Sequence, residues 1–311
     1  MRVGVDLWMV PGAGNVLGAS YVADFAADLY FREGLAVEAG DAFSVARNSV
    51  KYAADGSGSF TPFAAGIAAR TDRGLSVEPA SSNLLTDPVR LSAWLAVAAS
   101  ATPLPMPLLG IFAEPMLLTG TGGTAVDRLR HPTTSSVSNG ASYALSYWFQ
   151  PTVTPTMVAM AGGDGARSRL TISVATAGEL GLLAGRGTMT LARLVPHGAG
   201  VYCAQVLWTP NFSGVCEISM GPGTGVLRDT IGLLGAFMEP GTAFTGPMIG
   251  TGAASSRAAD RVTLHLPAGT HELIFTFDDM TTQVIAGAVG DYAVPTDLDR
   301  PVIRSVIAMP E

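Results

Sequence analysis

The chain of 311 residues is 48% hydrophobic and only 14% charged, against about 25% charged residues in an ordinary soluble domain. Its net charge is −7, Lys51 is the only lysine, and no basic cluster occurs along the sequence, so nucleic-acid binding is not expected. The mean hydropathy is +0.35, yet no apolar run is long enough to cross a bilayer. The 37 glycines and 20 prolines instead indicate many short strands and turns.

The first 22 residues begin with a predicted strand at 3–10, followed by a turn that contains Gly12, Gly14 and Gly18. Such a turn can bring bare backbone close to a phosphate. No βαβ unit follows, so an extended arm that lies on a neighbouring chain is the favoured interpretation. Asp6 interrupts the first apolar run, which is not the pattern of a signal peptide.

We therefore expect synthesis and assembly in a cytoplasm, where cysteines stay reduced. Cys203 and Cys216 are then expected to be buried thiols, with a disulfide as the less favoured alternative.

Residues 24–91 are expected to contain short extended segments, including strands near 43–49 and 50–56, without a core of their own. Between about 92 and 250, apolar segments recur at short intervals, as an all-β sandwich requires. The predicted strands are 116–118, 142–149, 156–161, 170–175, 179–183, 189–195, 200–209, 215–220 and 231–238.

Alternation within 142–149 separates two sets of side chains. Tyr143, Leu145, Tyr147 and Phe149 form the more apolar set, which should face the core and leave Trp148 exposed on the other face. Sugar rings bind to flat aromatic faces, so exposed Trp and Tyr residues are candidates for glycan contact. The candidates are Trp148, Trp208, Tyr202 and Trp94, with Trp208 or Tyr202 expected near Trp148.

The region from about 251 to 311 predicts a small antiparallel meander. Strict alternation marks strands at 262–266 and 272–277, with a turn at Pro267-Ala268-Gly269. Asp278-Asp279 turns the chain toward a strand at 282–285, and residues 302–307 supply the last strand.

Catalytic and metal-binding patterns are absent from the sequence. His265 and His271 occupy the polar phase of the alternation and are expected to face solvent, since two histidines without a third ligand make a poor zinc site. Asp278-Asp279 is the only adjacent acid pair, and a turn explains it better than glycosidase chemistry. No cofactor is expected; a structural calcium ion is compatible with Asp164, Asp297 and Asp299, although turns explain these residues better.

Four segments, in this order, resemble a family of phage virion proteins that occur as tail fibres, head fibres and gene-transfer-agent head spikes. They are 73–85 (RGLSVEPASSNLL), 239–242 (EPGT), 255–260 (SSRAAD) and 276–279 (TFDD). The similarity extends from about Asp24 to the C-terminus. It implies a jelly roll like that of carbohydrate-binding modules over 92–250, between an N-terminal segment 1–91 and a C-terminal meander 251–311. The family has Asn-Gly-Trp-Tyr-Arg where this chain has Gly198 to Cys203, so one tryptophan of the family is missing.

The resemblance implies a non-enzymatic structural component of a virion, with host surface glycan as a candidate ligand. Expected partners are other virion proteins and copies of this chain, with neither nucleic-acid binding nor membrane insertion. Two alternatives stay open: a glycan-degrading tail enzyme, and a pure assembly module of the capsid or tail. The low charge favours an oligomer or a symmetric particle in which other subunits cover the surface.

Overall fold

The computed structural model describes residues 18–104, 110–122, 127–132, 135–152, 155–163, 166–222, 229–250 and 253–311. Of these residues 59% lie in strands and 4% in helices, which confirms the prediction of an all-β protein. No helix among them is long and apolar enough to cross a membrane. The predicted arm at 1–18 and the phosphate-type turn fall almost wholly outside the described residues.

The first half of the chain contains mostly short elements. They are β1 (Tyr21–Asp24), β2 (Leu29–Arg32), β3 (Leu35–Ala36), α1 (Ala39–Ala42), β4 (Phe43–Ala46), β5 (Lys51–Ala54), β6 (Phe60–Phe63), β7 (Arg70–Thr71), β8 (Gly74–Ser76), β9 (Ser81–Asn83), a 3-10 turn (Leu91–Ala93), β10 (Leu95–Val97), β11 (Ala99–Pro103), β12 (Met116–Gly120), β13 (Arg128–Arg130) and β14 (Ser135–Val137).

The second half contains the long strands. They are β15 (Tyr143–Pro151), β16 (Thr156–Gly163), β17 (Ala166–Ser173), β18 (Gly178–Leu183), β19 (Thr188–Pro196), a 3-10 turn (Gly198–Gly200), β20 (Tyr202–Thr209), β21 (Gly214–Gly221), β22 (Thr230–Pro240), β23 (Ser255–Arg257), β24 (Arg261–Phe277), β25 (Thr282–Ala293) and β26 (Val302–Pro310). Each of the nine strands predicted between 92 and 250 corresponds to one of these or to β12.

The chain forms two compact units. The terminal unit consists of the described part of Met1–Gly56 together with Pro62–Ala80 and Ala258–Glu311, and the sandwich unit consists of Ser57–Thr61 and Ser81–Arg257. Each unit combines ranges that are separate in sequence but close in space. The segments 1–91, 92–250 and 251–311 are consecutive in sequence, and their boundaries remain a prediction.

Two antiparallel sheets enclose the core of the sandwich unit. The seven-stranded sheet has the order β10-β13-β21-β16-β17-β18, with β14 also paired to β21. The six-stranded sheet has the order β11-β12-β22-β15-β20-β19. Alternate side chains of both sheets meet in one apolar cluster, for example Met157 and Ile218 from the first and Tyr147 and Leu233 from the second. The two-sheet sandwich expected here is present, while the jelly-roll connectivity stays a prediction.

A nine-stranded sheet with the central order β25-β24-β26-β1-β2-β3 forms the terminal unit. Strand β26, at the C-terminus, lies between β24 and β1, with Tyr21 opposite Ala308. The core combines early residues such as Phe25 and Phe43 with late ones such as Phe275 and Phe277. The early segments thus have no separate core, as expected, but they complete the core of the C-terminal strands.

Strand β24 differs from the prediction because it runs unbroken through Pro267-Ala268-Gly269, where a turn was expected. Its first half pairs with β4 and its second half with β26, so each half has its own partner and no hairpin forms between them. The predicted turn is instead an irregularity in the pairing with β25, between His265 and Thr270. Gly269, with φ +116°, supplies the backbone conformation that this irregularity needs.

A buried group of charged side chains links four segments of the terminal unit. One carboxylate oxygen of Asp260 accepts a hydrogen bond from Arg47 at 2.7 Å, and the other accepts one from Lys51 at 2.5 Å. The backbone N–H of Glu78 also donates to Asp260, and the carboxylate of Glu78 lies 3.5 Å from Lys51 Nζ. Burial by itself raises the pKa of Asp260, but the charge and hydrogen bond of Lys51 and the hydrogen bond from Arg47 outweigh it, so this pKa is lowered.

We expect Asp260→Asn to lower the free energy of unfolding by about 3–5 kcal/mol, because it leaves buried Arg47 and Lys51 without their carboxylate. Urea denaturation of the full chain measures this loss. Asp291→Asn is the matched control, since the Asp291 side chain is 75% exposed in its pair with His265, and it should cost at most about 1 kcal/mol. Equal losses in the two variants would contradict the role given to Asp260.

The lowered pKa also predicts a pH dependence. The stabilisation from ionised Asp260 is complete above the pKa of an unfolded aspartate, about 3.9, and is lost as the pH falls through the lower pKa of the folded state. Between about pH 5 and about pH 3, the melting temperature should therefore fall more steeply in the native chain than in Asp260→Asn. Circular dichroism measures the melting temperature of both proteins at each pH. Equal falls in melting temperature in the two proteins would contradict the prediction.

Candidate functional site

The alternation predicted for β15 is observed. Tyr143, Leu145, Tyr147 and Phe149 all belong to the core between the two sheets of the sandwich unit. Trp148 is not part of that core cluster and lies on the other face of the six-stranded sheet. The sequence therefore predicted correctly which side of the strand carries the indole.

The predicted exposure of Trp148 is wrong, because the side chain is only 5% exposed. Three rings of the same unit surround it: Phe60 at 5.5 Å, Phe112 at 5.3 Å and His197 at 4.5 Å between ring centroids. These rings come from loops and short segments distant in sequence, which cover the outer face of β15. An indole enclosed in this way presents no open face on which a sugar could stack.

The other aromatic candidates also pack inside the sandwich unit. Trp208 is fully buried in the core, and its Nε1 donates to the carbonyl of Arg186 at 3.1 Å. Tyr202 is partly buried and stacks on Phe149, with centroids 6.0 Å apart. Trp94 is 5% exposed and meets His131 edge to face.

The expected grouping of Trp148 with Trp208 or Tyr202 is not observed. Tyr143 lies opposite Trp208 and Phe149 lies opposite Tyr202, and directly opposed residues share one face of a sheet. Trp208 and Tyr202 therefore point to the core, away from Trp148. A glycan-binding aromatic surface is not assembled from these four residues.

The remaining sequence candidates have structural positions. His265 pairs with Asp291 at 2.7 Å. His271 is buried rather than solvent-facing, because it lies on the same face of β24 as Leu273 and Phe275, which belong to the core. Both cysteines are free and buried, as expected, and burial raises the pKa of Cys216 to about 12. No group of three or more potential metal ligands occurs among the described residues, a set that excludes Asp164.

Sequence reasoning missed a cationic surface on the seven-stranded sheet. Leu129 and Leu170 point into the core, so their neighbours Arg128, Arg130, Arg167 and Arg169 point outward from β13 and β17. Glu217 lies between these strands on β21 and accepts hydrogen bonds from Arg130, at 2.9 Å, and from Arg167. We call these four arginines with Glu217 the arginine face.

Like charges accumulate on the arginine face. Burial lowers the pKa of Arg128, and the nearby charges of Arg167, Arg130 and Arg169 lower it further. Burial raises the pKa of Glu217, but the hydrogen bond from Arg167 and the charges of Arg167, Arg130 and Arg128 outweigh it and lower this pKa. The carboxylate of Glu217 therefore offsets only part of the positive charge of the four arginines.

The sequence does contain a signal for this surface. Arg128-Leu129-Arg130 and Arg167-Ser168-Arg169 each place two arginines on one face of a strand. The two pairs are 37 residues apart in sequence, and only the sheet order β13-β21-β16-β17 brings them onto one surface.

Beside the arginine face lies an open depression of about 280 Å³. Its lining consists of Val158, Arg169, Thr171, Gly181, Leu182 and Leu183. Leu182 and Leu183 belong to the edge strand β18 and are 46% and 53% exposed. The depression thus combines an apolar surface with one guanidinium, a combination suited to an amphipathic anion.

The fold and this surface define an all-β protein with a two-sheet sandwich unit and a cationic sheet face. No family model matches the chain, and no curated protein matches it significantly.

Trp148→Ala should destabilise the protein by about 3–5 kcal/mol, as expected for removal of a buried large aromatic ring. Trp148→Phe, which retains a ring among Phe60, Phe112 and His197, should cost less. Urea denaturation followed by circular dichroism distinguishes the two variants. A Trp148→Ala protein of unchanged stability would mean that these rings do not enclose the indole in solution.

Proposed function

We propose that the protein is a non-enzymatic structural component of a tailed phage or gene-transfer agent: a fibre, spike or tail-associated protein whose sandwich unit is of jelly-roll type. The observation that carries the proposal is the position of the residues in the motifs that resemble those virion proteins. They stabilise the fold of each unit rather than line a reactive cleft. A resemblance at such residues is an argument for shared architecture.

In the sandwich unit, Asn83 of the 73–85 motif ties two segments together. Its Oδ1 accepts hydrogen bonds from the backbone of Leu85 at 3.2 Å and of Met238 at 3.0 Å, and its Nδ2 donates to the Leu85 carbonyl. Glu239 of the EPGT motif accepts hydrogen bonds from the hydroxyls of Ser81, at 2.5 Å, and Thr245, at 2.6 Å. Both side chains are buried, so their hydrogen bonds secure the chain path rather than a ligand.

Three further motif residues have equivalent roles in the terminal unit. Glu78 and Asp260 belong to the buried charged group described above. Asp278, in the turn after β24, forms ion pairs with Arg73 and with Arg300, whose Nη2 lies 2.7 Å from Asp278 Oδ1. This arrangement favours the interpretation of Asp278-Asp279 as a turn and gives no support to a glycosidase acid pair, whose two carboxyl groups must face one sugar.

Host surface glycan remains the candidate ligand of this component. With the four predicted aromatic residues largely buried, the arginine face and its adjoining depression are the surface that best suits such a contact. A pure assembly module is the second candidate, and two observations favour it. The charged fraction is low, and Leu180, Leu182 and Leu183 of β18 are exposed, as on surfaces that a neighbouring subunit covers.

The test is the location of the chain in particles purified from the producing bacterium. We expect mass spectrometry to detect it at a stoichiometry set by particle symmetry, and labelled antibody to mark the particle surface. Its absence from purified particles would refute the proposal. Particle-free culture supernatant is the control for adhering protein.

A second assay distinguishes a glycan-degrading enzyme from a non-enzymatic component. The purified chain is incubated with host surface polysaccharide, and the chain length and reducing ends of the polymer are measured. We expect no change, whereas time-dependent shortening would favour the glycan-degrading enzyme.

A further inference from the structure

The charges of this acidic protein are unevenly divided between its two units. The residue ranges of the terminal unit carry nine basic and seventeen acidic residues, a net charge of −8. Those of the sandwich unit carry nine arginines and eight acidic residues, a net charge of +1. The arginine face is therefore a local excess of positive charge in the unit that lacks the acidic surplus of the chain.

Pairing between strands arranges this face as a regular row. Arg130 lies opposite Ser219, Ser219 opposite Met160, and Met160 opposite Arg169, so the two arginines stand three strand spacings apart, about 14 Å. Arg169 in turn lies opposite Leu183, at the depression. Ser219 and Met160 are themselves buried, so a ligand along this row meets Arg130, then Arg169, and finally the apolar recess.

Among the outward positions on the described parts of these strands, Glu217 is the only carboxylate, and its two oxygens are bound to Arg130 and Arg167. Arg169 is exposed, lines the depression and also contributes to the field that disfavours the charged form of Arg128. A bound anion would reduce this repulsion between guanidinium groups. Guanidinium forms strong, charge-assisted hydrogen bonds to planar or tetrahedral oxyanions.

We infer that the arginine face is the glycan-binding surface of the sandwich unit and that it takes an anionic polysaccharide, whose carboxylate or sulfate groups bind the arginines while one sugar ring occupies the depression. This inference rests on the proposed function, because it identifies the chemical class of the glycan. Val158, Leu182 and Leu183 supply the apolar contacts for the C–H surface of that ring.

Nucleic acid suits this surface less well. The sandwich unit has a net charge of only +1 and the whole chain one of −7, whereas a nucleic-acid site is strongly basic. Among the described residues that line the depression there is no aromatic ring, so a base would find no stacking partner there.

Affinity electrophoresis of the full chain in gels that contain polygalacturonate, dextran sulfate, neutral dextran or double-stranded DNA tests the inference. We expect retardation by polygalacturonate, dextran sulfate or both, which decreases as salt screens the charges, and none by dextran. Arg169→Gln should weaken binding about tenfold or more, as expected for loss of a charge-assisted hydrogen bond. Arg169→Lys should retain part of the affinity, because it keeps the charge without the fork of donors.

Arg193→Gln is the matched control, since Arg193 is also exposed and lies on β19 of the other sheet. It removes the same charge and should leave binding within about twofold of the native chain. Unchanged melting temperatures in all variants would show that binding, not folding, is measured.

Three results would overturn the inference: no retardation by either anionic polymer, equal losses for Arg169→Gln and Arg193→Gln, or tighter binding to DNA than to both polysaccharides. Retardation by dextran alone is a case of the first result, and it would indicate contact with a neutral glycan instead. The particle experiment is independent, so a chain found in particles that binds no polysaccharide would identify an assembly module.

Discussion

The terminal unit depends on the neutralisation of one buried carboxylate. Asp260 immediately precedes β24, the longest strand described. Its carboxylate forms ion pairs with Arg47 and Lys51 and accepts a hydrogen bond from the backbone N–H of Glu78. A buried charge is tolerated only when it is paired and hydrogen-bonded. The only lysine of the chain is therefore used for internal structure. This pairing brings β4, β5 and the segment after β8 to the start of β24, a strand of the sheet that also contains β1 and β26.

Trp148 shows how far alternation can be used in a β-protein. Alternation identified the face of β15 that carries the indole, because successive side chains on a strand point to opposite sides. Whether that face is open depends on segments elsewhere in the chain, and here Phe60, Phe112 and His197 cover it. With so few charged residues, the chain buries both faces of its central strand. A large aromatic on the outer face of such a sheet indicates a covering layer as readily as a ligand.

The motifs and the arginine face bear on different parts of the functional proposal. Asn83, Glu239, Asp260 and Asp278 are engaged within the chain, so they support a shared architecture and leave the ligand undefined. The arginine face differs from these motif residues, because its charged groups lie on an outer surface. Among the described residues of that surface, only Glu217 offsets their positive charge. Architecture and ligand chemistry can therefore be tested separately, one in the particle and the other with polymers.

The sequence alone determined the all-β class, the nine principal strands of the sandwich unit and the inward set on β15, since each depends on local alternation and turn residues. It also predicted two buried, free thiols. Only the tertiary structure decided that β24 is continuous, that His271 and Trp148 are buried, and that β26 lies between β24 and β1. The arginine face likewise required the sheet order, because only the pairing of strands distant in sequence places Arg130 and Arg169 on one surface. Local pattern sets the conformation and side of a strand, but its neighbours decide what that side faces.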